Sequence, residues 1–202
     1  VSSEIIPERI DVFVDGSWLG KSSNNNNVAM GWGAVVVEAA LGGELRWHVS
    51  GKGGAHDAQN TIEISAVIHG LEAVKERLAI GPETNMIPRI VVHTDQLHLP
   101  RKLEKYHGKD PLLGRLWELK EELQAEIVFT KAERNIPILN THELMNHAHD
   151  LANAESAQMR YEAQGYIGML GNPNKQYTGV EAEQYIASLR ESGWKGKVER
   201  AR

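Results

Sequence analysis

The chain has 202 residues, enough for one substantial core with an appendage, and its apolar and charged fractions, 41% and 24%, are those of a water-exposed globular domain. A formal net charge of -5 argues against a uniformly basic nucleic-acid binder, although acidic residues gathered around metal ions would leave basic ones free to meet phosphate. There is no cysteine, which excludes disulfides, thiolate metal sites and thiol nucleophiles.

No apolar run approaches a membrane span, and Val1 to Glu8 lack a basic start and an apolar stretch of signal-peptide type. With the missing cysteine, this points to an intracellular, cytoplasmic protein without a membrane partner.

Residues 9–19 alternate as a strand does, and the run from Ser22 to Asn27 is a polar turn. Met30 to Glu38 reads as a second strand, Leu41 to Glu44 as a turn, and Glu44 to Gly51 as a third strand. Three strands on short turns predict an antiparallel meander. Ile64, Val67, Ile68, Leu71, Val74 and Leu78 then recur at helical spacing, which predicts a helix over 61–79, stopped by Gly81-Pro82. Residues 89–94 are a short apolar strand of the kind covered on both faces.

A helix over 97–107 follows, with Pro100 tolerated in its first turn. Pro111 to Gln124 is a clearer helix, and Ala125 to Lys131 a fifth strand. His142 to Tyr161 is helical. The glycines at 165, 168 and 171, with Asn172-Pro173-Asn174, read as a linker before a short helix over 180–191, with Gly193 as its stop. The order βββαβααβα predicts an α/β fold: a mixed five-stranded sheet, three antiparallel strands then two parallel, flanked by helices. The division is a domain over 9–160 and a C-terminal extension over 161–202, whose mildly basic end is open to a partner.

Four acidic residues stand in distinctive settings. Asp15 lies in the first strand, before Gly16-Ser17. Glu63 opens the first helix in Asn60-Thr61-Ile62-Glu63. Asp95 follows the fourth strand in Thr94-Asp95-Gln96, and Asp150 lies in the run Asn146 to Ala152. Carboxylates at the ends of apolar strands are costly to bury unless donors or a cation compensate them. Four that converge would suit hard divalent ions, which prefer oxygen ligands.

Each also has a plainer reading. Asn60 and Glu63 have the spacing of a helix cap, Asp95 could cap the next helix, Asp15-Gly16 could turn, and Asp150 could be solvated. His142, His147 and His149 make a histidine-rich helix end without an evident zinc ligand set. Trp32, Trp47 and Trp117 read as core-edge residues. The basic run of Arg101, Lys102, Lys105 and Lys109 reads as a solvated face.

In order and setting these motifs resemble the ribonuclease H type 1 family over about residues 9–158. Asp15-Gly16-Ser17 is similar to its first metal-binding motif, Gly31-Trp32-Gly33-Ala34-Val35 to its second strand, Asn60 to Glu63 to its catalytic helix opening, and Thr94-Asp95-Gln96 to its Thr-Asp-Ser. Asn146 to Ala152 resembles its last motif, Asn-x-x-Ala-Asp-x-Leu-Ala, shifted slightly. His149 stands where Ala or Cys is usual, and Asn140 takes the place of a loop histidine.

The resemblance implies a metal-dependent endonuclease that hydrolyses the RNA strand of RNA–DNA hybrids with two Mg²⁺ or Mn²⁺ ions. Asp15 would bridge the ions, Glu63 and Asp95 would hold one and Asp150 the other, and His142 would move protons. Gly16, Ser17, Asn60 and Gln96 would meet the 2′-hydroxyls that distinguish RNA. Another nuclease of this fold, such as a junction resolvase or a transposase-like strand cutter, and a non-catalytic binding module remain alternatives.

Overall fold

The computed structural model describes residues 7–19, 29–40, 42–54, 61–78, 87–131, 141–169 and 172–191. The polar turn at 22–27, Asn60, Gly81-Pro82, Asn140, Gly171 and Gly193 lie outside the described residues.

Strands β1 (Arg9–Leu19), β2 (Ala29–Ala40) and β3 (Gly43–Lys52) form an antiparallel meander. Helix α1 (Ile62–Arg77) crosses over to β4 (Arg89–Thr94), which pairs parallel to β1. Helices α2 (Leu99–Tyr106) and α3 (Pro111–Glu122) lead to β5 (Glu126–Phe129), parallel to β4. The sheet order is β3-β2-β1-β4-β5, the mixed sheet that the hydrophobic patterning predicts. α3 starts where it does because the Asp110 carboxylate caps it, accepting from the N–H groups of Leu112 and Leu113, with Pro111 just inside.

Strand alternation sorts the two faces. Ile10, Val12 and Val14 of β1 join Ala34 and Val36 of β2 in the main core, against Val67, Ile68 and Leu71 of α1 and Leu116 and Leu119 of α3. Trp32, Trp47 and Trp117 pack at its edge. Phe13, Val35 and Val37 face the other way, against Leu144, Met145, Ala148 and Leu151 of α4 (Thr141–Gln164). α4 lies close on β2 because Gly31 and Gly33 carry no side chain. A Cβ on Gly33 would stand 2.5 Å from the Ala148 carbonyl oxygen, and one on Gly31 2.4 Å from that of Ala152.

The face under α4 also buries a polar relay. Asp11 Oδ1 accepts from His93 Nε2 at 2.7 Å, His93 Nδ1 lies 2.8 Å from Thr130 Oγ1, and Arg9 grips Asp11 with two bonds of 2.7 Å. The His93 ring stacks on Phe13. The relay ties β1, β4 and the end of β5 together and leaves no buried polar atom of these side chains to pay for its own desolvation.

The stretch that reads as a linker is instead a small hairpin. β6 (Ile167–Met169) pairs antiparallel with β7 (Asn172–Tyr177), followed by α5 (Gly179–Glu191). Ile167 is the reason: with Ala182 and Ile186 of α5 it is buried against Ala154 and Ala157 of α4, and Leu19 of β1 packs on the same cluster. Glycine-rich composition hides this, because one apolar side chain decides the packing. α4 itself runs through 160 to Gln164. Among the described residues no helix is long and apolar enough to cross a membrane.

Candidate metal centre

The parallel register of β1 and β4 prepares the site. Arg9 pairs with Arg89 and Phe13 with His93, so the same offset sets Asp15 level with Asp95, just past the last paired residues. β1 continues to Leu19 alongside β2, while β4 ends at Thr94. The two carboxylates therefore flank the gap where neighbouring strands part. Ligand sites of α/β sheets lie at such carboxyl ends.

Glu63 arrives from the first turn of α1. Thr61, the residue just before that helix, makes no side-chain cap bond. Glu63 Oε2 accepts the Gly16 N–H at 3.0 Å. Gly16 permits the approach: a Cβ there would lie 2.9 Å from both the Glu63 nitrogen and the Ile62 carbonyl carbon. Asp95 is no cap, since α2 begins after His98.

One carboxylate oxygen from each of Asp15, Glu63 and Asp95 lies within 4.8 Å of the others. Asp15 is buried, Glu63 half-buried and Asp95 exposed, so the group opens outward from the sheet. Burial and the nearby charges of Asp15 and Asp95 push the Glu63 carboxyl up to about 9. Burial and Asp15 also raise Asp95. No lysine or arginine ion pair reaches the three among the described residues. An all-oxygen donor set that repels itself this strongly suits a hard divalent cation.

α4 contributes an unexpected residue. His149 Nδ1 donates to Asp15 Oδ2 at 2.5 Å, and this bond, with the charges of Asp15, Asp150 and Asp95, holds the imidazole pKa above its usual value. One turn later Asn153 Oδ1 accepts the Ser17 hydroxyl at 2.5 Å, so residues 149 and 153 of α4 zip onto residues 15 and 17 of β1.

Asp150 is not a member of the acidic group; its charge is felt at His149 and, on the other side, at Tyr185 of α5. One residue step turns a helix by about 100°, so only one of two successive residues can face Asp15. The sequence carried a signal for which one. Counting the last motif back from Leu151-Ala152 puts His149 at its aspartate, whereas counting forward from Asn146 gives Asp150.

His142 is exposed on the first turn of α4, paired with Asn146 at 3.1 Å, about 10 Å along the helix from His149. The Ser17 hydroxyl and the Gly16 N–H are engaged inside the protein, and half-buried Gln96 follows Asp95 with its N–H on Thr94 Oγ1.

No family profile and no curated protein matches the chain. Solved structures do. The foamy viral protease–reverse transcriptase in complex with RNA/DNA hybrid superposes with a TM-score of 0.53 at 18% identity, over 75% of this chain and 20% of that one. The native prototype foamy virus protease–reverse transcriptase gives 0.51 at 21%, over 77% and 22%. The PFV RNase H domain in solution gives 0.50 at 21%, over 73% of this chain and 93% of the domain.

The chain has the ribonuclease H-like fold. It spans about a fifth of the viral protease–reverse transcriptases but nearly all of the isolated RNase H domain. The ribonuclease H-like core accounts for the five-stranded sheet, and the acidic group sits on its two central strands and the helix opening beside them.

Proposed function

We propose that this protein is a metal-dependent endonuclease that hydrolyses the RNA strand of RNA–DNA hybrids. The observation that carries the reading is the convergence of Asp15, Glu63 and Asp95 on one another, with no lysine or arginine ion pair to them among the described residues. The ribonuclease H-like fold supports the reading, and the all-oxygen donor set suits divalent cations.

Asp15, Glu63 and Asp95 would hold the ions, with buried Asp15 shared between them. Two Mg²⁺ or Mn²⁺ ions bound there supply Lewis acidity to both the attacking water and the leaving oxygen of a phosphodiester. The protein's own contribution is rigidity. The Gly16 N–H fixes one Glu63 oxygen, and the shared register of β1 and β4 fixes the separation of Asp15 from Asp95. In this reading Asp150 adds negative charge behind the site rather than a ligand atom. His142 moves protons at the rim, and Gln96, with Asn60, meets the 2′-hydroxyls, while Gly16 and Ser17 support the site from within.

The test is a labelled hybrid incubated with the protein and Mg²⁺ or Mn²⁺, alongside duplex DNA and a four-way junction. Cleavage confined to the RNA of the hybrid, lost in Asp15→Asn, is the expected result. Cleavage of the junction or duplex alone would transfer the assignment to another nuclease class. No cleavage of any of the three substrates would remove it.

A further inference from the structure

We infer that two copies of this chain pair along their β3 strands, antiparallel about a two-fold axis at residue 48, so that their sheets join into one. The inference stands apart from the metal site.

β3 is one edge of the main sheet, 10 residues long, and every one of them is exposed or half-buried. It runs beside β2 without a bulge, from Gly43 opposite Ala40 to Lys52 opposite Gly31, and it carries no proline. Folded proteins shorten, kink or cover such an edge, or pair it. The opposite edge, β5, has only 4 residues.

The ladder shows which groups face outward. The Gly53 N–H bonds the carbonyl oxygen of Met30, the residue opposite, at 2.8 Å. Bonded pairs alternate along an antiparallel ladder, so the odd-numbered residues of β3 bond β2. Glu44, Arg46, Ser50 and Lys52 therefore turn their N–H and C=O groups away from it, and there no described residue bonds them.

About an axis at residue 48, Glu44 lies opposite Lys52 of the second copy and Arg46 opposite its Ser50, each pair exchanging two backbone bonds. The Glu44–Lys52 ion pair forms at both ends of the seam. It joins Arg46, which bonds Glu44 within the chain, to Glu162, which holds Lys52 at 2.5 Å, in a row of alternating charge. On the other face Trp47 meets Val49 and Leu45 meets Gly51. Trp47 and Val49 already pack against the main core, so the apolar layer continues across the seam.

Charge selects this register. An axis at residue 47 would set Arg46 against His48, and one at residue 49 would set it against Lys52. Charged side chains guard an edge where like charges meet, and here opposite ones do. The His48 ring is engaged by His147 of α4, with centroids 5.4 Å apart. Burial and His147 hold it below its usual pKa, so it brings no charge to the axis at neutral pH. Asp15 lies on β1, with β2 between it and this edge, so the carboxylates stay clear of the seam.

Sedimentation equilibrium of the full chain should show a mass that approaches twice the 22.4 kDa of one copy and falls to one copy on dilution. Glu44→Lys sets like charges opposite each other and should weaken the dimer about tenfold. Arg46→Pro keeps the bonds to β2, since residue 46 turns its N–H outward, and should leave a folded monomer. The chain has no cysteine, so His48→Cys places one thiol beside its own copy and should form a disulfide dimer on air oxidation. Arg46→Cys, about 13 Å from its copy along the strands, should not.

A single-copy mass up to about 0.1 mM would overturn the inference. So would a dimer that neither Glu44→Lys nor Arg46→Pro weakens, or a disulfide that forms at residue 46 as readily as at residue 48.

Discussion

The Gly16 backbone N–H donates to Glu63 Oε2 at 3.0 Å, across a contact so close that no side chain fits at residue 16. One glycine thus sets both the approach of α1 to β1 and the aim of a carboxylate. Gly16→Ala should push the first turn of α1 away and destabilise the fold by about 1–3 kcal/mol. Mn²⁺ affinity should fall with it, because Glu63 moves. Chemical denaturation and calorimetry on the same variant check the pair. Unchanged metal affinity would show that the contact does not position Glu63.

Glu63 makes stability depend on pH. Its folded pKa is raised from 4.5 to about 9, so the folded state holds the proton more tightly than the unfolded chain. This group's contribution is therefore fullest below about 4.5 and declines as pH rises toward 9. Glu63→Gln removes the decline. Without metal, the variant should be more stable than wild type at pH 8 by about 2 kcal/mol and equal to it near pH 4. Saturating Mn²⁺ should reverse the order at pH 8, since only the wild type gains binding energy. Thermal melts at the two pH values, with and without Mn²⁺, test the sign.

Asp11 behaves in the opposite sense. Burial pushes its carboxyl up, but the bonds from His93 and Arg9 outweigh burial and hold it below the ordinary value of 3.8. The stabilisation is present above that value and disappears as pH falls below it through the folded pKa. Asp11→Ala strands His93 in the interior and should cost about 3 kcal/mol at pH 7. The loss should shrink in acid. Asp15 lies about 13 Å further along the strand, so Mn²⁺ uptake should survive.

The C-terminal hairpin and α5 share apolar contacts with α4 and β1. Ile186→Ala should therefore lower the stability of the whole unit, by about 2–4 kcal/mol, in a single unfolding transition. A separate early transition, with the main one unmoved, would show that the extension folds independently.

Much of this structure was legible before any coordinates. Helix α1 announced itself through Ile64, Val67, Ile68, Leu71 and Val74, which all reach the main core, and β4 through an apolar run buried on both faces. Asp15, Glu63 and Asp95 were readable because each follows or opens an apolar element. The facing of α4 was legible only in part, because the last motif counts onto either of the adjacent residues His149 and Asp150 and helix phase decides which one faces β1. The polar relay under α4 was hidden for a similar reason. Asp11, His93 and Thr130 are polar residues in apolar strands, and nothing local reveals that they meet. The hairpin at 167–177 was masked by glycine, asparagine and proline, whose composition is the same in a linker and in a turn.

The central claim is that Asp15, Glu63 and Asp95 together hold divalent cations, and a crystal grown with Mn²⁺ tests it most directly. Anomalous scattering should place manganese about 2.2 Å from oxygens of all three residues. Manganese bound elsewhere, or a protein saturated with Mn²⁺ whose three carboxylates carry no ion, would contradict the account.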